Sequence, residues 1–235
     1  MMKFTKIVEK IVAILKKDPA YKFKSDFDSR QLATIVFYRS LQLLRGLPLK
    51  LWLHANGFTF CGRSVVIEHG YMIKAGQNLI LEDFVHINAL STDGIVFGRN
   101  VSLGRGAVII CTGVVASKGV GLTVGDHTGI NANAYIGCQG GVQIGSNVIM
   151  GPGIKIFSEN HNFSSADIPI RLQGETRNPV TIEDDCWIGA GATILAGVTI
   201  GRGSVVAAGA VVNNSFPAKS LIVGVPAKAI RNRVS

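Results

Sequence analysis

With 235 residues and 47% hydrophobic side chains, the chain can build one domain with a substantial core and an appendage. Aromatic residues make up only 7% and glycines number 28, which excludes a core of interlocked rings and favours packing by small aliphatics. The net charge of +9 lies at the two ends: residues 1–56 carry eleven Lys/Arg against four Asp/Glu, and the last twenty residues carry four cations and no acid. The middle is therefore slightly acidic. This pattern calls for local acidic partners at each end, and it does not describe a nucleic-acid binder.

The four cysteines, Cys61, Cys111, Cys138 and Cys186, show no CxxC pairing and no metal-ligand spacing, so a reducing compartment and no metal are expected. No apolar run approaches the ~18 residues of a membrane span. The N-terminus lacks the uninterrupted apolar stretch and cleavage site of a signal peptide, and a cytoplasmic location follows as the expectation.

In chain order, residues 3–17 place Phe4, Ile7, Val8, Ile11, Val12, Ile14 and Leu15 at helical spacing, with Lys3, Lys6, Lys10, Lys16 and Lys17 on the remaining face. Asp18-Pro19 ends that helix. A second helix is expected from about Ser29 to Leu44, with Gly46 and Pro48 interrupting the chain beyond it. The apolar faces of this leader are expected to cap the end of the main domain. A basic amphipathic first helix also keeps peripheral membrane contact open.

From Ile67 onward aliphatic residues recur every sixth position, in runs such as Phe97, Leu103, Ile109 and Val124, Ile130, Ile136. The longest run is Ile182, Ile188, Ile194, Ile200, Val206, Val212. The fifth position of each of these hexads is small or β-branched: Cys186, Ala192, Val198, Ser204, Ala210. A period of six is neither helical nor a simple alternation. It suits strands of two or three residues separated by tight turns in which glycine tolerates positive φ, as in a solenoid. Two interruptions stand out: a glycine-rich loop at 112–121 and a long polar break at 157–181 that carries Pro169 and Pro179. A long loop held by a rigid scaffold is where function is expected.

The segments LILAGVTIGRGSVVAAGAVV and VGVPAKAIR resemble the hexapeptide-repeat acyltransferases, which fold as left-handed parallel β-helices. IGCQGGVQIGSNVIMGPGIKIFSENHNF, PIRLQG and DDCWIGAGATIL narrow the resemblance. They are similar to the sugar and polysaccharide O-acetyltransferases, including maltose, galactoside and capsule or lipopolysaccharide enzymes. LLRGLPLKLWL is similar to the helical leader of the polysaccharide members. The resemblance covers roughly residues 40–235 and implies a mainly β protein in three parts. These are a helical leader at 1–58, a left-handed β-helix at 59–216 with extruded loops near 112–121 and 157–181, and a coenzyme-binding tail at 217–235.

It also implies a homotrimer with acetyl-coenzyme A between adjacent β-helices. His161, in SENHNF, matches the family's general base, and the family asparagine matches Asn131 or Asn133; the oxyanion needs preorganised donors, for which coil-edge backbone N–H groups or Asn133 are the candidates. Galactoside-type members carry an acidic pair where this chain has Cys138-Gln139-Gly140, so a different acceptor is implied. Trp187, Gly189, Ala190, Ala208, Lys228 and Arg231 match coenzyme-binding positions, and Arg171 is an acceptor-loop candidate.

The residue chemistry fits. A hydroxyl attacking a thioester needs a base near neutral pH, which neutral imidazole provides. Lys228 and Arg231 suit phosphates, though a solvated tail would carry them equally well. Trp187 could merely cover a coil corner. His54 reads as structural, and His69, His86 and His127 as residues of surface or interface faces. The expected activity is O-acetylation of a sugar in a surface polysaccharide or its precursor, at the inner face of the membrane if the leader binds there. The alternatives are N-acetylation of an amino sugar, another acyl donor, or a non-catalytic β-helix scaffold.

Overall fold

The computed structural model describes residues 2–16, 19–24, 26–114 and 116–233. Lys17 and Asp18, where the sequence ends the first helix, lie outside the described residues, as do the side chains of Lys3, Phe4 and Lys16. Each hexad forms one side of a three-sided coil. Successive short strands join three sheets in rotation, and every coil-to-coil pairing is parallel. Sheet I starts at Thr59–Cys61, sheet II runs from Val66–Glu68 to Val211–Val212, and sheet III from Ile73–Ala75 to Thr199–Ile200. The register follows from the hexads: Trp187 pairs with Val205, Thr193 with Val211 and Thr181 with Thr199, three hexads apart in each case.

One inward side chain per hexad fills the prism. Ile182, Ile188, Ile194, Ile200, Val206 and Val212 are at most 1% exposed, and the small fifth positions beside them, Cys186 included, are buried too. Burying each such aliphatic stabilises the fold by roughly 2 kcal/mol before chain entropy is charged against it. The earlier runs from Ile73 to Ile156 are equally buried, while Ile67 is only partly covered.

The corners explain the glycines. The third residue of a corner turn takes left-handed φ, +67° at Gly191 and +69° at Gly209, and Asn133 takes the same role at 56°. The first corner residue faces the backbone of the next coil, and a Cβ on Gly189 would lie 2.4 Å from the Ala208 nitrogen. Corner I, from sheet I to sheet II, comprises the turns 104–107, 131–134, 151–154, 189–192 and 207–210 among others. Corner II, from sheet II to sheet III, releases both long loops.

The coil begins at Thr59–Cys61, a strand before Ile67, and all three residues of that strand are buried. Two features differ from expectation. The second helix, α2, spans Ser29–Gly46 and is followed by a short α3 at Leu49–Trp52. The 217–235 segment is also more than a tail. Ser220–Gly224 adds to sheet I beside Val205–Val206, and Ala227–Asn232 folds back on it antiparallel.

The leader divides in two. Asp28 caps α2 by accepting from the Arg30 and Gln31 amides at 2.7 and 2.8 Å, with Gln31 reaching back in a capping box. The C-terminal half of this helix covers the first coil: Gln42 Nε2 donates to Glu82 Oε2 at 2.8 Å, and Gly46 is pressed on the Thr59 carbonyl, while Ile35, Val36, Phe37, Tyr38 and Leu44 stay exposed. The cap expectation holds for this half of α2. It does not hold for α1, Met2–Lys16, which buries Val8 but leaves Ile7, Ile11 and Ile14 more than half exposed. Its apolar residues span too wide an arc for one packing contact to cover.

Candidate active site

Corner II owes its shape to hydrogen bonds inside the polar break. Glu159–His161 and Glu175–Arg177 form an antiparallel ladder that pairs Glu159 with Arg177 and His161 with Glu175. Beyond it, Gln173 organises the loop tip: its Nε2 donates to the carbonyls of Ser165 and Ile168 at 2.9 and 2.7 Å, and its Oε1 accepts from the Ser165 amide. Asn162 adds a bond from Nδ2 to the Gln173 carbonyl and accepts from Thr176 Oγ1. His161 thus stands on a braced two-stranded platform. It is exposed, and no hydrogen bond or ion pair among the described residues engages its imidazole.

Arg177 ties this platform to the second extruded loop. Its Nε donates to Glu175 Oε1 at 2.8 Å, while its Nη1 and Nη2 donate to the carbonyls of Lys118 and Ser117 at 2.6 and 3.2 Å. Glu159 Oε2 is 3.9 Å from Arg177 Nε and is buried without a hydrogen bond. Burial pushes the Glu159 carboxyl above its ordinary range, Glu175 beside it adds to the rise, and Arg177 opposes it. The Tyr135 hydroxyl is raised as well, by burial first and then by Glu159. This cluster was not read from the sequence. Its signal, a pair of three-residue strands inside a loop, is too short to show a period.

The remaining candidates gather at corner I. Asn131, Asn133, Gly189, Ala190 and Ala208 stand in one column of stacked turns, although almost eighty residues separate the first from the last. Asn131 Oδ1 accepts from the Ala132 amide at 2.7 Å, so this side chain is partly used in its own turn. The Asn133 backbone donates to the Arg105 carbonyl at 2.8 Å, and no hydrogen bond among the described residues engages its side-chain amide. Trp187 lies on sheet I next to this column, 55% exposed and paired with Ile149 and Val205. Lys228 and Arg231 are exposed on the last strand of the same sheet, opposite Val223 and Leu221. Corner I thus carries a column of small residues, with an exposed indole beside it on sheet I and two cations on the last strand of that sheet.

The structure does not bring the two corners together within one chain. Asn133 precedes the Tyr135–Gly137 strand, whereas His161 follows the Lys155–Phe157 strand paired with it, so the two sit at opposite edges of sheet II. Strands of this length span roughly 10 Å. Arg171 is placed elsewhere again, exposed on a short 3₁₀ turn at the loop tip. The other histidines take no part: His86 pairs with Glu68 at 2.8 Å, and His54, His69 and His127 all hold left-handed turn positions.

A three-sided parallel β-helix built in six-residue steps, with extruded loops, defines a hexapeptide-repeat protein. The model describing a hexapeptide repeat of succinyl-transferase matches residues 179–214. Nodulation protein L of Rhizobium leguminosarum bv. viciae is 36% identical, over 58% of this chain and 70% of that one. Galactoside O-acetyltransferase of Escherichia coli K12 is 34% identical, over 50% of this chain and 57% of that one. Among solved structures, the hexapeptide-repeat containing acetyltransferase VCA0836 of Vibrio cholerae, complexed with acetyl coenzyme A, superposes with a TM-score of 0.52. It is 30% identical over 59% of this chain and 70% of that chain. The chain belongs to the hexapeptide-repeat acetyltransferase family. It spans about half the length of the first curated relatives it matches.

Proposed function

We propose that this protein transfers the acetyl group of acetyl-coenzyme A to a sugar hydroxyl of a surface polysaccharide or its precursor. The observation that carries the reading is His161: an exposed, unbonded imidazole on a braced platform, in a chain whose relatives include a galactoside O-acetyltransferase. The thioester supplies the activated acyl group. His161 takes the proton of the acceptor hydroxyl as that oxygen attacks the acyl carbon, and it can return the proton to the departing thiolate. Asn133, with its amide unengaged, is the candidate donor to the oxyanion. Lys228 and Arg231 hold the coenzyme phosphates, while Trp187 and the small residues Gly189, Ala190 and Ala208 line its path. Phe163, three-quarters exposed and two residues beyond His161, offers an apolar face to a sugar ring.

The separation of Asn133 from His161 supports a ring of three copies. Sheet II has corner I at one edge and corner II at the other, so a closed ring with sheet II facing the axis sets one copy's Asn133 beside the next copy's His161. The leader's charge of +7 and the nature of such acceptors support a reaction in the cytoplasm, at the inner membrane face. The test is incubation of purified protein with acetyl-coenzyme A and a panel of hydroxyl and amino sugars while free thiol is followed. Acceptor-dependent release with hydroxyl sugars supports the reading. Release with amino sugars alone, or no release above hydrolysis, contradicts it.

A further inference from the structure

We propose that α1 is a docking surface for an anionic lipid bilayer, a role separate from acetyl transfer. Both leader helices leave apolar residues exposed, α2 at Ile35, Val36, Phe37, Tyr38 and Leu44, but only α1 lines them up beside lysines. The C-terminal half of α2 meets the first coil through Gln42 and Gly46, so that end of the core is covered without α1. The first helix touches the body on one side only. There Val8 is 6% exposed, and Asn78 Nδ2 donates to the Leu15 carbonyl. On the adjoining side Ile7, Ile11 and Ile14 are 56%, 51% and 65% exposed. Their spacing of four and three puts them on one stripe along the helix axis. Isoleucines in such a row are costly to leave in water, and isolated exposed apolars of ordinary surfaces do not line up in this way.

Charge selects the occupant. Lys6 and Lys10, both exposed, fall on the flank of the isoleucine stripe away from Val8, and the ion pairs of the described residues involve neither. Lys22 and Lys24, just beyond the helix, are exposed as well. The one acid of α1, Glu9, is half-buried and accepts from the Phe23 amide of the leader at 2.9 Å. The outer side of the helix therefore presents apolar side chains bordered by cations with no acid among them. That arrangement matches the boundary between acyl chains and anionic headgroups, where a helix lies in the plane of the interface. A second copy of this basic helix is a poor occupant, because it would bring lysine against lysine.

The experiment is co-sedimentation of the full-length protein with two kinds of vesicle: phosphatidylcholine alone, and phosphatidylcholine with a third phosphatidylglycerol. The expected result is binding to the anionic vesicles only, falling at least tenfold between 50 and 500 mM salt as exposed charges are screened. Lys6→Glu with Lys10→Glu, both at exposed positions, should weaken binding at least tenfold, and Ile7→Ser with Ile11→Ser and Ile14→Ser should abolish it. Both variants should keep the oligomeric state and thermal midpoint of the parent. Equal binding to both vesicle types, no binding to either, or unchanged binding by the lysine variant overturns the proposal. So does loss of the oligomer in the isoleucine variant, which would make the stripe a contact between copies. None of these measurements uses acetyl transfer, so failure here and failure of the enzymatic reading are distinguishable.

Discussion

Corners I and II are produced by the same repeat and do opposite things with it. At corner I the chain turns in four residues, coil after coil, and glycine or alanine lets successive turns stack at van der Waals limits. At corner II the chain leaves the coil twice, and the extruded segments are held by side-chain bonds, with Arg177 joining one to the other. A turn stacked on its neighbours leaves little room at its glycines, as a Cβ on Gly189 would meet the Ala208 backbone, and polar side chains enter at positions such as Asn131 and Asn133. A loop released from that constraint can raise an imidazole into solvent and surround it with charge. The proposed chemistry divides along this line, with the coenzyme at the tight corner and acid–base work at the open one.

Several changes would break or sharpen that division. The largest effect is expected at corner II: His161→Ala should lower kcat by about 10³, the scale of a lost general base, with no shift in thermal midpoint because the residue is exposed and unbonded. Thiol release and calorimetry check the two halves, and near-normal turnover would remove His161 from the reaction. At corner I the expectation reverses towards stability. Gly189→Ala puts a Cβ 2.4 Å from the Ala208 nitrogen and should cost about 1–3 kcal/mol in denaturant unfolding. Ser164→Ala, at an exposed place in the corner II loop, should stay within about 0.5 kcal/mol.

A smaller kinetic effect tests the coenzyme edge. Lys228→Ala with Arg231→Ala should raise KM for acetyl-coenzyme A about tenfold, and the loss should shrink with dephospho-coenzyme A as donor. An equal loss with both donors would dismiss the phosphate role. The smallest expected effect concerns pH. Glu159 holds its proton more tightly in the folded platform than in the unfolded chain. Its contribution to stability is therefore complete below the ordinary carboxylate pKa and is lost as pH rises through the raised value. Glu159→Gln should accordingly raise the thermal midpoint slightly at pH 7 and leave it unchanged at pH 4. A fall at pH 7 would show that the charged form is the stabilising one.

Much of corner I was legible in the sequence, because one aliphatic residue per six constrains the coil, and every such position from Ile73 to Val212 proved buried. The long break at 157–181 was legible for the same reason, as the place where the period fails. Which corner each residue occupies was harder to read. The eight-residue steps from Ile67 to Ala75 and from Ile136 to Ile144, and the two loops, shift the phase of the hexads, so the separation of Asn133 from His161 is not visible as a spacing. The Glu159, Glu175 and Arg177 cluster depends on pairing between strands that lie fourteen or more residues apart in a loop. The exposed stripe on α1 was visible as a periodicity, but its partner face could not be known until α2 was seen to cover the coil.

The account rests most heavily on a site completed between copies. The direct measurement mixes two inactive variants, Asn133→Ala and His161→Ala, by co-refolding them in equal amounts and following thiol release with a sugar acceptor. In a closed ring that pairs corner I of one copy with corner II of the next, about a quarter of the sites regain both residues, and activity should return to that fraction of the parent. If Asn133 and His161 served within one chain, no mixed assembly could restore a site. Activity that stayed at the level of the two single variants would contradict the account.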